Sequence, residues 1–194
     1  MLYFVAGLAL FFLPHLFSAV RSRAPGGDLR VKLGYGPYMG LYSLVSLTGF
    51  VLIIYGYGET RGLGLLYRPP LFLQHLNSLF MLLALIFLAA SQLPAGHIKK
   101  VLKHPMLVAV KLWAVGHLLA NGEYNAVILF GAFLAYAVFD RIMVKRRGDV
   151  GPGPDASVSA TYDIISVALG IGVWAALAMW LHPILFGVPA IPIS

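Results

Sequence analysis

The feature that most constrains this chain is a series of apolar stretches, each separated from the next by a short polar segment. A helix needs roughly 20 apolar residues to cross about 30 Å of hydrocarbon. Six stretches approach or reach that length, at residues 2–20, 38–57, 71–93, 106–120, 124–140 and 162–181. They predict an all-α fold, a polytopic bundle of about six transmembrane helices in a single integral membrane domain spanning 1–194.

Composition supports the same class of protein. Hydrophobic residues make up 60% of the 194 residues and charged residues only 11%. Soluble domains carry about 45–50% apolar and about 25% charged residues, so the expected partner is membrane lipid. The net charge of +7 does not indicate a nucleic-acid partner, because the cations lie in short clusters between apolar stretches. The chain has no cysteine, which excludes disulfides, thiolate metal ligands and a cysteine nucleophile.

The cations also predict the orientation. Eleven Lys and Arg side chains lie in loops 21–37 and 94–105 and directly after residue 140, whereas the alternating loops hold only Arg61 and Arg68. Basic loops stay on the cytoplasmic side. We therefore expect a multi-pass protein of the cytoplasmic membrane with both termini on the non-cytoplasmic side.

Local composition gives further expectations. The Gly/Pro/Ser-rich segment 148–160 predicts a flexible connection, and the three prolines after Leu181 predict that the last helix does not continue into the tail. The fourth and fifth stretches are short and joined by Asn-Gly-Glu-Tyr, which predicts a tight helical hairpin. Glycines along the second stretch suggest close helix contacts; they are Gly34, Gly36, Gly40, Gly49, Gly56 and Gly58.

Three histidines fall within the predicted spans, namely His15, His75 and His117. Ionisable side chains are costly in a bilayer and mark functional sites, and neutral imidazole binds iron, copper and zinc. No carboxylate accompanies these histidines inside the spans, which disfavours a site of two histidines and a carboxylate. A haem remains compatible, since the porphyrin supplies four of the iron ligands. The alternative is that each histidine only hydrogen-bonds a neighbouring helix.

Two further residues bear on this site. Trp113 shares a helical face with His117 and could pack on a porphyrin, or serve ordinary helix packing. His104 precedes Pro105 at the start of the fourth stretch, where proline is favoured, so His104 is expected to cap the helix or lie at the membrane interface.

Several motifs, taken together, resemble the NnrU family. They are KHPMLVAVKLWAVGHLLANGEYNAVILFGAFLAYAVFDR (103–141), PHLFSAVRSR (14–23) and the Leu-Tyr-Ser-Leu-Val-Ser-Leu run at 41–47. The family includes bacterial membrane proteins linked to nitrite and nitric-oxide metabolism in denitrifiers. The plant and cyanobacterial zeta-carotene isomerases are related to it, and they use haem b in a redox-dependent cis–trans isomerisation.

The resemblance implies a haem b site in this chain. His15 and His117 match the isomerase's haem histidines, and His75 remains a rival partner for His117. With His15 as the partner, Arg21, Arg23 and Arg30 would hold the propionates; with His75, Arg61 and Arg68 would. Ala114 stands where the isomerase has a cysteine, so an exchange of cysteine and histidine on the iron is excluded here.

The function expected from these observations is that of a haem b-binding NnrU protein in nitrogen-oxide metabolism, acting with a redox partner. One alternative is a haem-dependent isomerase of a lipophilic polyene such as zeta-carotene. Another is a small membrane methyltransferase, whose polar pocket could come only from 94–105 and 141–161. A transporter is disfavoured, because the sequence shows no inverted repeat.

Overall fold

The computed structural model describes residues 1–24 and 26–191; Pro25, in the first basic loop, and the last three residues of the tail lie outside that description. The helices are α1 (Leu2–Val20), α2 (Leu29–Leu33), α3 (Tyr35–Glu59), α4 (Leu71–Gln92), α5 (His97–Leu102), α6 (Pro105–Ala120), α7 (Tyr124–Arg146), α8 (Ala160–Ala176) and α9 (His182–Phe186), with a π-helical turn (Leu177–Leu181) joining the last two.

Five of these segments are long and apolar enough to cross a membrane by length and composition. They are α1, α3, α4, α7 and the continuous run Ala160–Phe186, and the shorter apolar helix α6 adds a sixth. In the described part of the chain the only strand-like pairing is an isolated bridge between Leu65 and Glu123. The predicted all-α class is confirmed, and the chain is a polytopic helical membrane protein.

Met1–Gly64 form one compact unit, in which α3 packs against α1 and α2. Two glycines of α3 allow the close approach of α1. A Cβ on Gly49 would lie 2.8 Å from Cα of Phe11, and a Cβ on Gly56 would lie 2.6 Å from Cα of Phe4. Of the six glycines expected at helix contacts, these two meet another helix.

The other four glycines do not. A Cβ on Gly36, Gly40 or Gly58 would meet nothing within 4 Å. Gly34, with φ +82°, ends α2 instead of packing a helix. The expectation of close contacts was therefore right only for Gly49 and Gly56, in the C-terminal half of α3.

The described residues from Leu65 to Ile191 form a second compact unit. In it α4 packs against α6 and α8, and α6 packs against α7. Ala114, Ala126 and Phe130 form a buried cluster between α6 and α7. Small side chains at this contact let the two helices approach closely. Membrane helices associate through such van der Waals packing, because lipid provides no hydrophobic driving force between them. The hairpin expected at 121–124 is present.

The segment that follows α7 is anchored, although its composition predicted a flexible connection. The Lys100 ammonium donates to the carbonyl of Pro154 at 3.0 Å, and the Ser159 amide donates to Ala95 at 3.1 Å. Gly151 (φ +70°) lies so close to Lys103 that a Cβ would be 2.9 Å from its carbonyl carbon. Contacts with the α5 region therefore hold 148–160 in place.

The last helical run extends further than expected. The sequence predicted an end at residue 181, before the prolines, but α9 continues to Phe186. Pro183 lies in the first turn of α9, where the missing N–H costs little. The preceding residues widen into the π-helical turn, Leu177–Leu181, which accommodates the ring. Gly187, with φ +70°, then ends the helix.

Candidate functional site

His117 lies in the last turns of α6, half-buried among aromatic rings. Its Nδ1–H donates to the carbonyl of Trp113, one turn earlier, at 2.8 Å. Its ring stacks on Phe130 of α7, with centroids 4.4 Å apart and an interplanar angle of 18°. The proton on Nδ1 leaves the lone pair on Nε2, which is the nitrogen available to a metal or to a donor.

Trp113 joins His117 to the aromatic side chains of α7. Its ring is 5.4 Å from that of His117, and it makes edge contacts with Phe130 at 4.8 Å and Phe133 at 5.2 Å. The predicted shared face is therefore observed. This contact packs α6 against α7 and also fixes the imidazole plane.

The loop before α4 holds the end of α6, and no motif in the sequence marks it. The hydroxyl of Tyr67 donates a hydrogen bond shared between the carbonyls of Leu118 and Asn121, and the amide of Leu66 donates to Gly122 at 2.7 Å. Partial burial raises the pKa of Tyr67, so the phenol keeps its proton at neutral pH. These bonds satisfy carbonyls that a helix end otherwise leaves unpaired.

Two polar residues of α4 point in different directions. His75, the rival iron ligand, is exposed. Asn77 is buried, and a Cβ on Gly116 of α6 would lie 2.8 Å from Cε of Met81 and closer still to Oδ1 of Asn77. That Oδ1 has no hydrogen-bond partner among the described residues. Asn77 is thus the polar side chain of α4 that approaches α6 next to His117, and no local pattern singles it out over His75.

His15 belongs to the first unit and repeats the local arrangement of His117. Its Nδ1–H donates to the carbonyl of Phe11, one turn earlier, at 2.6 Å. Its ring stacks on Phe11 at 4.5 Å and lies 5.1 Å from Tyr42 of α3. Both matched histidines therefore present a ring oriented by a backbone carbonyl and an aromatic neighbour.

The arginines expected near the propionates follow α1. Arg21 forms a short ion pair with Asp28, which also accepts from the Arg30 amide at 2.9 Å and so caps α2. The Arg21 guanidinium lowers the pKa of Asp28, which stays ionised. Arg23 is exposed and donates to the carbonyl of Ser18 at 3.2 Å. Asp28, missed in the sequence, already neutralises Arg21.

His104 precedes α6 but does not cap it through its side chain. Its Nε2–H donates to the carbonyl of Asp149 at 3.2 Å, so its ring anchors the segment after α7. The turn before it is unusual. Lys103 has φ +63° and ψ −52°, and the His104 amide bonds Leu102 two residues earlier, which is a strained γ-turn.

The NnrU family model, described as NnrU protein, matches residues 3–190. The chain belongs to the NnrU family. The match spans both units and every helix, so the resemblance carried by the motifs around His15 and His117 extends over nearly the whole NnrU chain. No curated protein and no solved structure gives a match to this sequence.

The described residues of this NnrU protein hold no group of three or more His, Asp or Glu side chains that could bind a metal ion by themselves. A haem iron needs fewer protein ligands, because one or two axial side chains suffice. His117 fits such a ligand: its Nδ1–H is bonded to a carbonyl, its Nε2 carries the lone pair, and apolar rings surround it.

Proposed function

We propose that this NnrU protein binds haem b in the membrane, with His117 as an axial ligand of the iron. The observation that carries the proposal is the Nδ1–H bond from His117 to the Trp113 carbonyl. Metal-ligating histidines almost always donate their other N–H to a carbonyl or carboxylate, which fixes the tautomer and orients the ring. The same bond in His15 supports the same role for that residue.

The chain's own residues would orient and shield this ligand. Phe130 stacks on the imidazole and Trp113 packs against both rings, so the imidazole plane is set before any group binds. Tyr67 holds the carbonyls just after His117. When bound, haem supplies an iron centre that accepts and returns one electron.

The second axial ligand follows from the family resemblance, which favours His15, with His75 as the rival. With His15, Arg21 and Arg23 would be the cations for the propionates, since arginine makes charge-assisted bonds to carboxylates. Asp28 competes for Arg21, so we expect Arg23 to contribute more to propionate binding than Arg21 does.

The haem content of single-residue variants tests the ligand assignment. We expect His117→Ala to lose the haem measured as pyridine haemochrome, and either His15→Ala or His75→Ala to lose it as well. His97→Ala is the matched control, because that ring is exposed and pairs with Asp163 in the first turn of α8. Haem retained in His117→Ala would refute the proposal, whereas loss in His97→Ala would show nonspecific damage.

The cellular setting rests on family membership. We propose the cytoplasmic membrane, with both termini on the non-cytoplasmic side, because eleven cations lie in alternate loops. We also propose a role in nitrogen-oxide metabolism with a redox partner. A strain lacking the protein should accumulate nitrite or nitric oxide when it grows anaerobically on nitrite; unchanged levels would remove this role.

A haem-dependent isomerase of a lipophilic polyene is the second candidate. The aromatic rings around His117 favour it, because Trp113 and Phe133, which are only half-buried, offer flat apolar surface to a conjugated chain as well as to a porphyrin. Production of the protein in cells that accumulate cis-zeta-carotene tests it. A shift in the isomer ratio would support the activity, and an unchanged ratio would exclude it.

A further inference from the structure

The contact between α1 and α3 has an apolar end and a polar end. The two helices run antiparallel: Phe4 lies against Gly56, Phe11 against Gly49, and His15 against Tyr42. Backbones touch at the glycines, and only apolar groups meet there. From His15 to Arg21 on α1, and from Ser46 back to Tyr38 on α3, polar groups face the contact instead.

Three of these polar groups are buried without a partner. Nε of Arg21, the hydroxyl of Tyr38 and the hydroxyl of Ser46 form no hydrogen bond with any described residue. The Arg21 side chain is only 8% exposed, and Tyr38 is 7% exposed. Such groups are costly in a membrane, where no bulk water can satisfy them.

Ser46 is the informative member of this set. Hydroxyls in membrane helices usually donate to the carbonyl one turn earlier, as the exposed Thr48 does to Leu44 at 2.9 Å. Ser166 does the same to Tyr162 at 2.6 Å. Ser46 does not. Its buried oxygen therefore lacks a protein partner, and Ser46 shares a helical face with Tyr42 and Gly49, which both contact α1.

Ring contacts connect the polar groups into one path. The Arg21 guanidinium lies 5.8 Å from the centre of the Tyr38 ring, Tyr38 is 6.5 Å from Tyr42, and Tyr42 is 5.1 Å from His15. Ser46 follows Tyr42 by one helical turn. The path thus runs from the arginines at the end of α1 to the depth of His15.

The path is closed at its inner end. Beyond Ser46, Gly49 brings α3 against the backbone of Phe11, where even a Cβ would lie 2.8 Å from Cα. No water molecule fits between helices at that separation. The polar stretch therefore opens at the arginines only.

We propose that this path is a hydrated half-channel: a file of water molecules enters beside Arg21 and ends at Ser46, at the depth of His15 within the membrane. Water suits the three unpartnered groups because it both donates and accepts hydrogen bonds. Arg23, Arg30 and the Arg21–Asp28 pair lie at its mouth. The half-channel does not depend on haem, since it follows from the first unit alone.

Cysteine accessibility tests the half-channel in a chain that has no native cysteine. Ser46→Cys changes one atom, and the protein in nanodiscs exposes both membrane faces to a charged methanethiosulfonate. We expect Ser46→Cys to react at least about tenfold faster than Thr48→Cys, because the reactive thiolate forms only in water. Thr48 is the matched control, at similar depth but about 200° away around α3.

Ile53→Cys probes the closed end, since Ile53 is buried beyond Gly49. We expect it to stay unreactive. Equal reaction rates for Ser46→Cys and Thr48→Cys would overturn the proposal. Rapid reaction of Ile53→Cys would contradict the closure of the path beyond Ser46. Wild-type protein gives a measurement without substitution: magnetisation transfer from water to the Tyr38 and Tyr42 side chains in NMR supports hydration, and its absence refutes it. None of these readouts involves haem, so failure here is distinct from failure of the haem proposal.

Discussion

Replacing Gly49 with alanine should separate α1 from α3. The added Cβ would lie 2.8 Å from Cα of Phe11 and 2.9 Å from the carbonyl oxygen of Gly7. Carbon contacts become favourable only near about 3.5–4.0 Å, so the helices would have to move apart by roughly 1 Å. Both contacting atoms belong to backbone and cannot rotate away. Overpacking of this kind costs about 1–3 kcal/mol.

Gly40→Ala is the matched control, because it lies in the same helix and its Cβ would meet nothing within 4 Å. Both substitutions gain the same helix propensity, about 1 kcal/mol. The difference between them therefore isolates the contact with α1, and we expect Gly49→Ala to be less stable than Gly40→Ala by about 1–3 kcal/mol. Equilibrium unfolding in mixed micelles of mild detergent and dodecyl sulfate measures it. Equal stabilities would refute the close packing of α1 and α3.

Three other perturbations can be measured on the same protein. Tyr67→Phe should lower the free energy of unfolding by about 1 kcal/mol, because the carbonyls at the end of α6 lose their donor; no change would show that water replaces the phenol. Lys103→Gly should raise stability by up to about 1 kcal/mol by relieving the positive φ, whereas Gly151→Ala should lower it, and the reverse order would contradict the strained turn. Arg21 lowers the pKa of Asp28, so the stability that Asp28 contributes is present above its unfolded pKa of about 3.9 and is lost as the pH falls through the lower folded value. Melting temperatures from pH 7 to pH 2 should therefore fall more in wild type than in Asp28→Asn; parallel curves would contradict the ion pair.

The membrane helices could be predicted because their signal is long and local. Each apolar stretch needs only its own residues to show that it is long enough for lipid, and the α6–α7 hairpin carries its own turn residues. The short helices α2 and α5 could not be predicted in this way. Asp28 caps α2, and the carboxylate of Asp163, 66 residues from His97, accepts the first amides of α5.

The candidate site was predictable only in part. The motifs single out His117, and its helical spacing to Trp113 follows from sequence. The sequence does not reveal which side of α4 faces α6. His75 and Asn77 are two residues apart and therefore point in nearly opposite directions. In an apolar helix nothing in the sequence chooses between them. The role of Tyr67 depends on a contact across 51 residues, which no local pattern reveals.

Segment 148–160 also depends on contacts with distant parts of the chain. Glycine and proline there predicted a flexible connection, and some of those glycines do adopt positive φ. Composition does not show which residues this segment contacts. Lys100, Lys103 and His104 meet this segment from the α5 region, and such pairings between distant segments are set by how α4 to α8 pack.

The absorption spectrum of the purified wild-type protein tests haem binding most directly. We predict a Soret band at about one haem per chain that sharpens on dithionite reduction into low-spin α and β bands, as expected for an iron with His117 and a second histidine as axial ligands. A colourless protein that also fails to take up added haemin would contradict it. His117 would then serve only to pack α6 against α7.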